Sequence, residues 1–341
     1  MKIWFSGYTT NLSRGIYRAQ LDDENHQARV TDVTLMTEVS GPTYLRVTND
    51  LLFTIAKKEN LGGIVSYQQK KFKQPISAMM TPGASPCYIG INEAAHRLYT
   101  ANYHTGLLSV YHYDANGELQ LLVKNKHADK RLGPRPEQET AHPHFFDETP
   151  DHHLVSCDLG TDTVDFYEFD KNSLTHLAKY EMAPGFGTRH LVFDSASSLM
   201  YIVGELSSQI SVVHYDEKNW TFEALQTIKT IPEHFSKHNG AAAIRLSKDG
   251  RFIYVSNRGY DSIAVFATSP EGKLKLIQQI STFGTFPRDF NWDSDEHYVI
   301  AANQTSNNAT LYRRNPETGL LAVIQKDIAV PEATCVAVTK D

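Results

Sequence analysis

Short runs of Val, Ile, Leu, Tyr and Phe alternate with small or polar residues along the whole chain, and clusters of Gly, Asn, Asp and Pro punctuate them. Period-two alternation in short stretches between turn residues predicts β-strands. Helical periodicity is nearly absent. Its nearest candidate, Leu119 to Lys130, is polar enough to be read as a loop.

The runs recur as a phrase. A short alternating run comes first, then a hydrophobic run ending in a small or polar residue, then a turn and a third run ending near an aromatic. The clearest copies are Leu98–Tyr103 with Gly106–Tyr113 and Phe252–Arg258 with Asp261–Phe266, and a weaker copy spans Tyr298–Gln304 with Asn308–Tyr312. Second-type runs begin at Ile3, Leu52, Leu98, Leu154, Leu199, Phe252 and Tyr298. First-type runs precede all but one of them, near Tyr44, Tyr88, His144, His190, Ala242 and Asp289. The run missing before Ile3 is found unused at the other end, in Thr334–Val338. Dividing 341 residues by seven gives units of about 49, close to propeller repeat lengths. The expected fold is therefore all-β: one domain over residues 1–341, a seven-bladed β-propeller of four-stranded antiparallel blades. The C-terminal strand closes the ring inside the first blade, which also removes exposed sheet edges.

Composition narrows the function. Hydrophobic residues make up 41% of the chain, enough for a sizeable core, yet no run approaches the roughly 20 apolar residues of a membrane span. The opening Met1–Gly7 lacks the long apolar segment of a signal peptide. Cys87, Cys157 and Cys335 are odd in number and lack metal-type spacing, so a reduced, cytoplasmic chain is expected. A net charge of −6 argues against a general nucleic-acid partner.

Topology gathers the polar residues. In an up-down-up-down blade the first strand starts on the face where the second ends, so both places meet around one channel mouth. Starts of first strands supply Ser85, His142, His144, Arg189, His190, Asn239 and Arg288. Ends of second strands supply Lys57, Asn102, Asp158, Glu205, Asn257, Arg258, Asn303 and Gln304. The opposite strand ends read mostly as turn residues, such as Asp249–Gly250. Arginine binds carboxylate or phosphate with a bidentate fork, and histidine or glutamate can serve as a general base. This set suits an anionic, oxygen-rich small molecule. Asn102, Asp158, Asn303 and Gln304 are candidates both for capping strands and for contacting a ligand. His142 and His144 alternate and could bind a metal with Glu139 or Glu205. The surrounding arginines would repel a cation, so neither metal nor cofactor is expected.

At these residues the chain resembles the seven-bladed propeller lactonases, the family of propeller-type 6-phosphogluconolactonases, with fungal carboxymuconate cyclases as a related branch. The resemblance rests on His142-Pro143-His144, Cys157-Asp158-Leu159-Gly160-Thr161-Asp162, Gly187-Thr188-Arg189-His190, Gly204-Glu205-Leu206, Ser256-Asn257-Arg258-Gly259, Phe286-Pro287-Arg288-Asp289-Phe290 and Ala302-Asn303-Gln304, in order along the chain. One departure is Thr188, where the family often has proline. The resemblance implies a small anionic sugar lactone as partner, such as the 6-phosphogluconolactone of the pentose phosphate pathway. It also implies catalytic roles for His144, Arg189, Glu205 and Arg258. His144 or Glu205 would activate water, Arg189 or Arg258 would steady the oxyanion, and Arg288 with Lys57 would hold phosphate. His142 and His190 are further substrate-side candidates. Two alternatives share the same residues: a cycloisomerase acting on a muconate-like diacid, and a non-catalytic binding propeller.

Overall fold

The computed structural model describes residues 1–23, 27–127 and 131–340. Within them, 28 strands form seven four-stranded antiparallel sheets, each built in chain order except the first. There the C-terminal strand β28 (Ala333–Thr339) pairs with β1 (Lys2–Gly7) and closes the ring. The first strand of each sheet lies innermost: β4 (Leu45–Val47), β8 (Tyr88–Asn92), β12 (Pro143–Glu148), β16 (Thr188–Asp194), β20 (Gly240–Leu246), β24 (Pro287–Trp292) and β28. Each of the seven packs against the next, in one unbroken circle around the axis.

The second strands explain the hydrophobic runs of the sequence. β5 (Leu51–Lys58), β9 (Arg97–Asn102), β13 (Leu154–Asp158), β17 (Leu199–Gly204), β21 (Phe252–Arg258) and β25 (Tyr298–Asn303) lie between an inner and an outer strand, with a neighbouring blade on each face. Both faces are covered, so β17, β21 and β25 are buried at every residue. Trp4, Tyr99, Tyr201 and Tyr254 fill the spaces between blades. Two of these tyrosines also tie blades together: Tyr201 donates to Gly272 O (3.3 Å) and Tyr254 to Gly319 O (2.7 Å), each in the last turn of the next blade.

Outer strands have one wet face, and this corrects one expectation. Leu119–Lys126 is no loop but β11, the fourth strand of its sheet, paired with β10 (Leu107–Tyr113). Its polarity belongs to the exposed edge of a blade; residues 128–130 of the same stretch lie outside the described part. The outer edges are pinned by side-chain amides. Gln226 on β19 (Thr221–Lys229) clasps both backbone groups of Leu274 on the next blade, and Gln278 on β23 (Leu274–Ser281) does the same to Leu321.

Candidate active site

A cavity of about 620 Å³ opens at the expected mouth of the channel. Seven predicted site residues line it: Lys57, His144, Arg189, His190, Glu205, Arg258 and Arg288. Backbone register explains how several arrive there. On β12, Pro143 pairs with Asp158 and Phe145 with Cys157, so His144 is left over as a bulge. Arg189 on β16 and Arg288 on β24 are skipped in the same way, and so is Thr334 on β28. A bulged residue is re-aimed relative to the pleat. Repeating the bulge at the top of four inner strands turns four side chains into one space.

Glu205 comes from the turn after β17. Its backbone N–H donates to Gly187 O (2.7 Å), which brings that turn against the one before β16. Gly187 has φ +70°, and a Cβ there would sit 2.4 Å from the Leu206 side chain, so only glycine permits the approach. The Glu205 carboxylate then bridges two arginines: Arg189 Nε and Arg258 Nη2 both donate to Oε2 at 2.8 Å. Backbone carbonyls fix the guanidinium planes, with Arg189 Nη1 on Ala242 O (2.7 Å) and Arg258 Nε on Gly240 O (3.1 Å). Arg258 also lies over the Phe286 ring, 5.3 Å from its centre. Among the described residues, Arg189 Nη2 and Arg258 Nη1 have no hydrogen-bond partner.

Charge sets the protonation states. Burial opposes ionisation of Glu205, but Arg258, Arg189 and Arg288 outweigh it and hold the carboxyl below its ordinary range. Burial, with Arg258 next in importance, pulls Arg189 down to about 9, still protonated at neutral pH. His144 is pushed well below the usual imidazole value by burial first and then by Arg189, Arg288 and Arg258. His190 is lowered likewise, by burial and then Arg189. Both histidines are therefore neutral at pH 7. Their rings touch, with His144 Nδ1 3.1 Å from His190 Nε2. Burial pushes the Cys87 thiol, also in this cavity, up to about 11, so it is no thiolate nucleophile.

Five predicted site residues stand outside this lining. His142 stacks on Tyr103 (ring centres 4.1 Å apart) and its Nδ1 lies 2.7 Å from Tyr103 O, so it backs a cavity residue. Asp158 accepts from the backbone of His142 (2.9 Å) and Thr161 (3.0 Å). Asn102 and Asn303 donate to Ala84 O (2.7 Å) and Thr282 O (3.0 Å), tying each second-strand end to the connection that enters its blade. Gln304 has its side-chain carbonyl buried without a hydrogen-bond partner. Asn102, Asp158 and Asn303 spend polar atoms on nearby backbone, which is the physical reason they do not face the cavity.

Other lining residues escape sequence reasoning. Tyr8, Tyr103 and His104 sit just past the ends of second strands, the position Glu205 also occupies. Reading one or two residues further along each run would have found them. Tyr44 forms part of the floor, as does His190. Both also border a second cavity of about 540 Å³ at the opposite end of the channel. That mouth is charged, which the turn-like residues of the sequence do not reveal. Several of its charged side chains are bonded within the protein: Arg46 lies 3.8 Å from Asp147, Arg245 donates to Asp289 (2.9 Å), and Glu296 accepts from the Lys248 backbone N–H (3.0 Å). At the upper mouth, by contrast, Arg288 and Lys57 have no acidic partner among the described residues. No group of three or more His, Cys, Asp or Glu among the described residues is placed to hold a metal ion.

A family model described as a seven-bladed β-propeller lactonase matches residues 2–338. The chain belongs to the seven-bladed propeller lactonase family. A 6-phosphogluconolactonase of Bacillus subtilis is 34% identical over 336 residues, covering 96% of this chain and 95% of that one. Among solved structures, a protein from Lactobacillus plantarum superposes with TM-score 0.93 at 43% identity, with 98% of both chains covered. The periplasmic gluconolactonase of Pseudomonas aeruginosa superposes with TM-score 0.86 at 28% identity, again over 98% of each chain. No helix among the described residues of this propeller lactonase is long and apolar enough to cross a membrane.

Proposed function

We propose that this propeller lactonase hydrolyses an anionic sugar lactone, with 6-phospho-D-glucono-1,5-lactone as its substrate and His144 as general base. The observation that carries this reading is the neutral His144, in contact with a second neutral histidine, His190, beside three arginines in a single cavity. His144 Nε2 has no partner among the described residues and takes a proton from water as the water oxygen attacks C1. Negative charge grows on the carbonyl oxygen, where the unbonded Nη2 of Arg189 and Nη1 of Arg258 are the available donors. Collapse breaks the bond from C1 to the ring oxygen, and the imidazolium returns its proton to that oxygen. Glu205 is the weaker candidate for base. Its carboxyl is held below the ordinary range and Oε2 is occupied twice, so its part is to hold the two arginines in register. Arg288 and Lys57 lack acidic partners and suit the phosphate. General-base help and oxyanion stabilisation are each worth on the order of 100-fold or more, ample for a lactone that already opens readily in water.

The test compares wild type, His144→Ala and Arg258→Ala on 6-phosphogluconolactone at about pH 6.5, each with and without EDTA. Activity that survives EDTA and falls to background in both variants is expected. Folded variants as active as wild type would overturn the assignment of the site.

A further inference from the structure

Base catalysis by His144 requires a free lone pair on the nitrogen that faces the substrate. A neutral imidazole has one such nitrogen, and its neighbours decide which. His144 Nδ1 lies 3.1 Å from His190 Nε2, and Arg189 Nη1 approaches the same Nε2 at 3.4 Å. A guanidinium can only donate. His190 Nε2 is therefore an acceptor, and the hydrogen between the rings belongs to His144 Nδ1. His144 Nε2 is left bare. His190 must then carry its own hydrogen on Nδ1, and the residue also borders the lower cavity.

We propose that His190 is a positioning residue that fixes His144 in the tautomer protonated at Nδ1, so that the Nε2 lone pair serves as the base. Two aromatic rings pack against His190, whose chain neighbour is Arg189: Tyr88 meets the ring edge-on (5.2 Å) and Phe145 lies 5.5 Å away. The groups facing His144 are His190 and Arg189 from β16, Arg258 from β21, Arg288 from β24, and Tyr103 from the turn after β9. His190 is the side-chain partner of His144 Nδ1, and the residue's own backbone also interacts with the ring.

The inference rests on the proposed role of His144, so the test has two independent readouts. The first is long-range 1H–15N correlation of the imidazole rings in wild type, His190→Gln and His190→Leu, which reads the tautomer without any substrate. Wild type should show His144 protonated at Nδ1. The Gln variant, whose amide oxygen can accept the same hydrogen beside Arg189, should keep it. The Leu variant should lose it. The second readout is lactone hydrolysis: kcat should fall about 100-fold in the Leu variant at little-changed KM, and the Gln variant should recover most of it. If the Leu variant does not fold, the wild-type spectrum and the Gln variant still decide. His144 protonated at Nε2 in wild type, or a folded Leu variant with unchanged tautomer and kcat, would overturn the proposal. An Nδ1 tautomer that depends on His190 in a protein without lactonase activity would sustain the positioning and reject the base.

Discussion

Mild acid should destabilise this propeller mainly through two side chains. His144 and His190 are 4% and 5% exposed and are neutral, because burial and then the neighbouring cations lower both below the ordinary 6.5. In the unfolded chain each returns to an ordinary value near 6.5. Below that pH the unfolded chain binds more protons than the native one. The stabilisation is complete above pH 6.5 and is lost as pH falls toward the folded-state values. One pH unit below 6.5, each histidine costs on the order of 1 kcal/mol, so the pair costs a few kcal/mol. Glu205 acts in a different window. Its folded-state value is lowered, so its contribution persists above the ordinary 4.5 and disappears only below it. The assay is urea unfolding of wild type and of the His144→Gln/His190→Gln double variant at about pH 7.5 and 5.5. Wild type should lose a few kcal/mol more than the variant between the two pH values. Taking the difference between proteins cancels every group they share. Equal losses would show that the two histidines are not held neutral, and would remove the physical basis for a ready base at the channel mouth.

Other expectations follow from the same geometry. Glu205→Gln keeps an oxygen acceptor for both arginines, so kcat should fall by about tenfold or less, whereas His144→Ala should lose about 100-fold or more; similar losses measured by initial rates would return the base to Glu205. Arg288→Ala should raise KM for the phosphorylated lactone about 10- to 100-fold, the worth of a charge-assisted hydrogen bond, and should leave unphosphorylated gluconolactone nearly unaffected. Parallel kinetics on the two substrates check this, and an equal effect on both would remove phosphate from Arg288. Deleting the last ten residues removes β28 with the Val336 N–H that binds Asp289 (3.0 Å), so the ring should open. Circular dichroism and size-exclusion chromatography should show an aggregated or unfolded chain, and a compact, cooperatively melting product would contradict closure.

The ring was readable because each blade writes its fully buried strand as an uninterrupted apolar run. A first-type run left over at Thr334–Val338 then had one place to go, and β28 occupies it. The outer strands were harder: β11 looked like a loop because exposure on one face permits Lys124 and Lys126. At the candidate site, strand position brought out His144, Arg189, Glu205, Arg258 and Arg288, all of which line the upper cavity. Position alone could not separate them from Asn102, Asp158 and Asn303, which spend their polar groups on turn backbone. Two determinants leave no mark in composition or spacing. One is the repeated bulge that turns His144, Arg189 and Arg288 inward. The other is the pairing of charge across blades, which ties Arg46 to Asp147 and Arg245 to Asp289 and leaves Arg288 and Lys57 without an acidic partner among the described residues.

The most direct measurement is the rate at which wild-type protein opens 6-phosphoglucono-1,5-lactone at about pH 6.5, followed as acid release against the spontaneous background. Turnover well above background, faster than with unphosphorylated gluconolactone, is the predicted result. Folded protein that leaves the background rate unchanged would contradict the assignment.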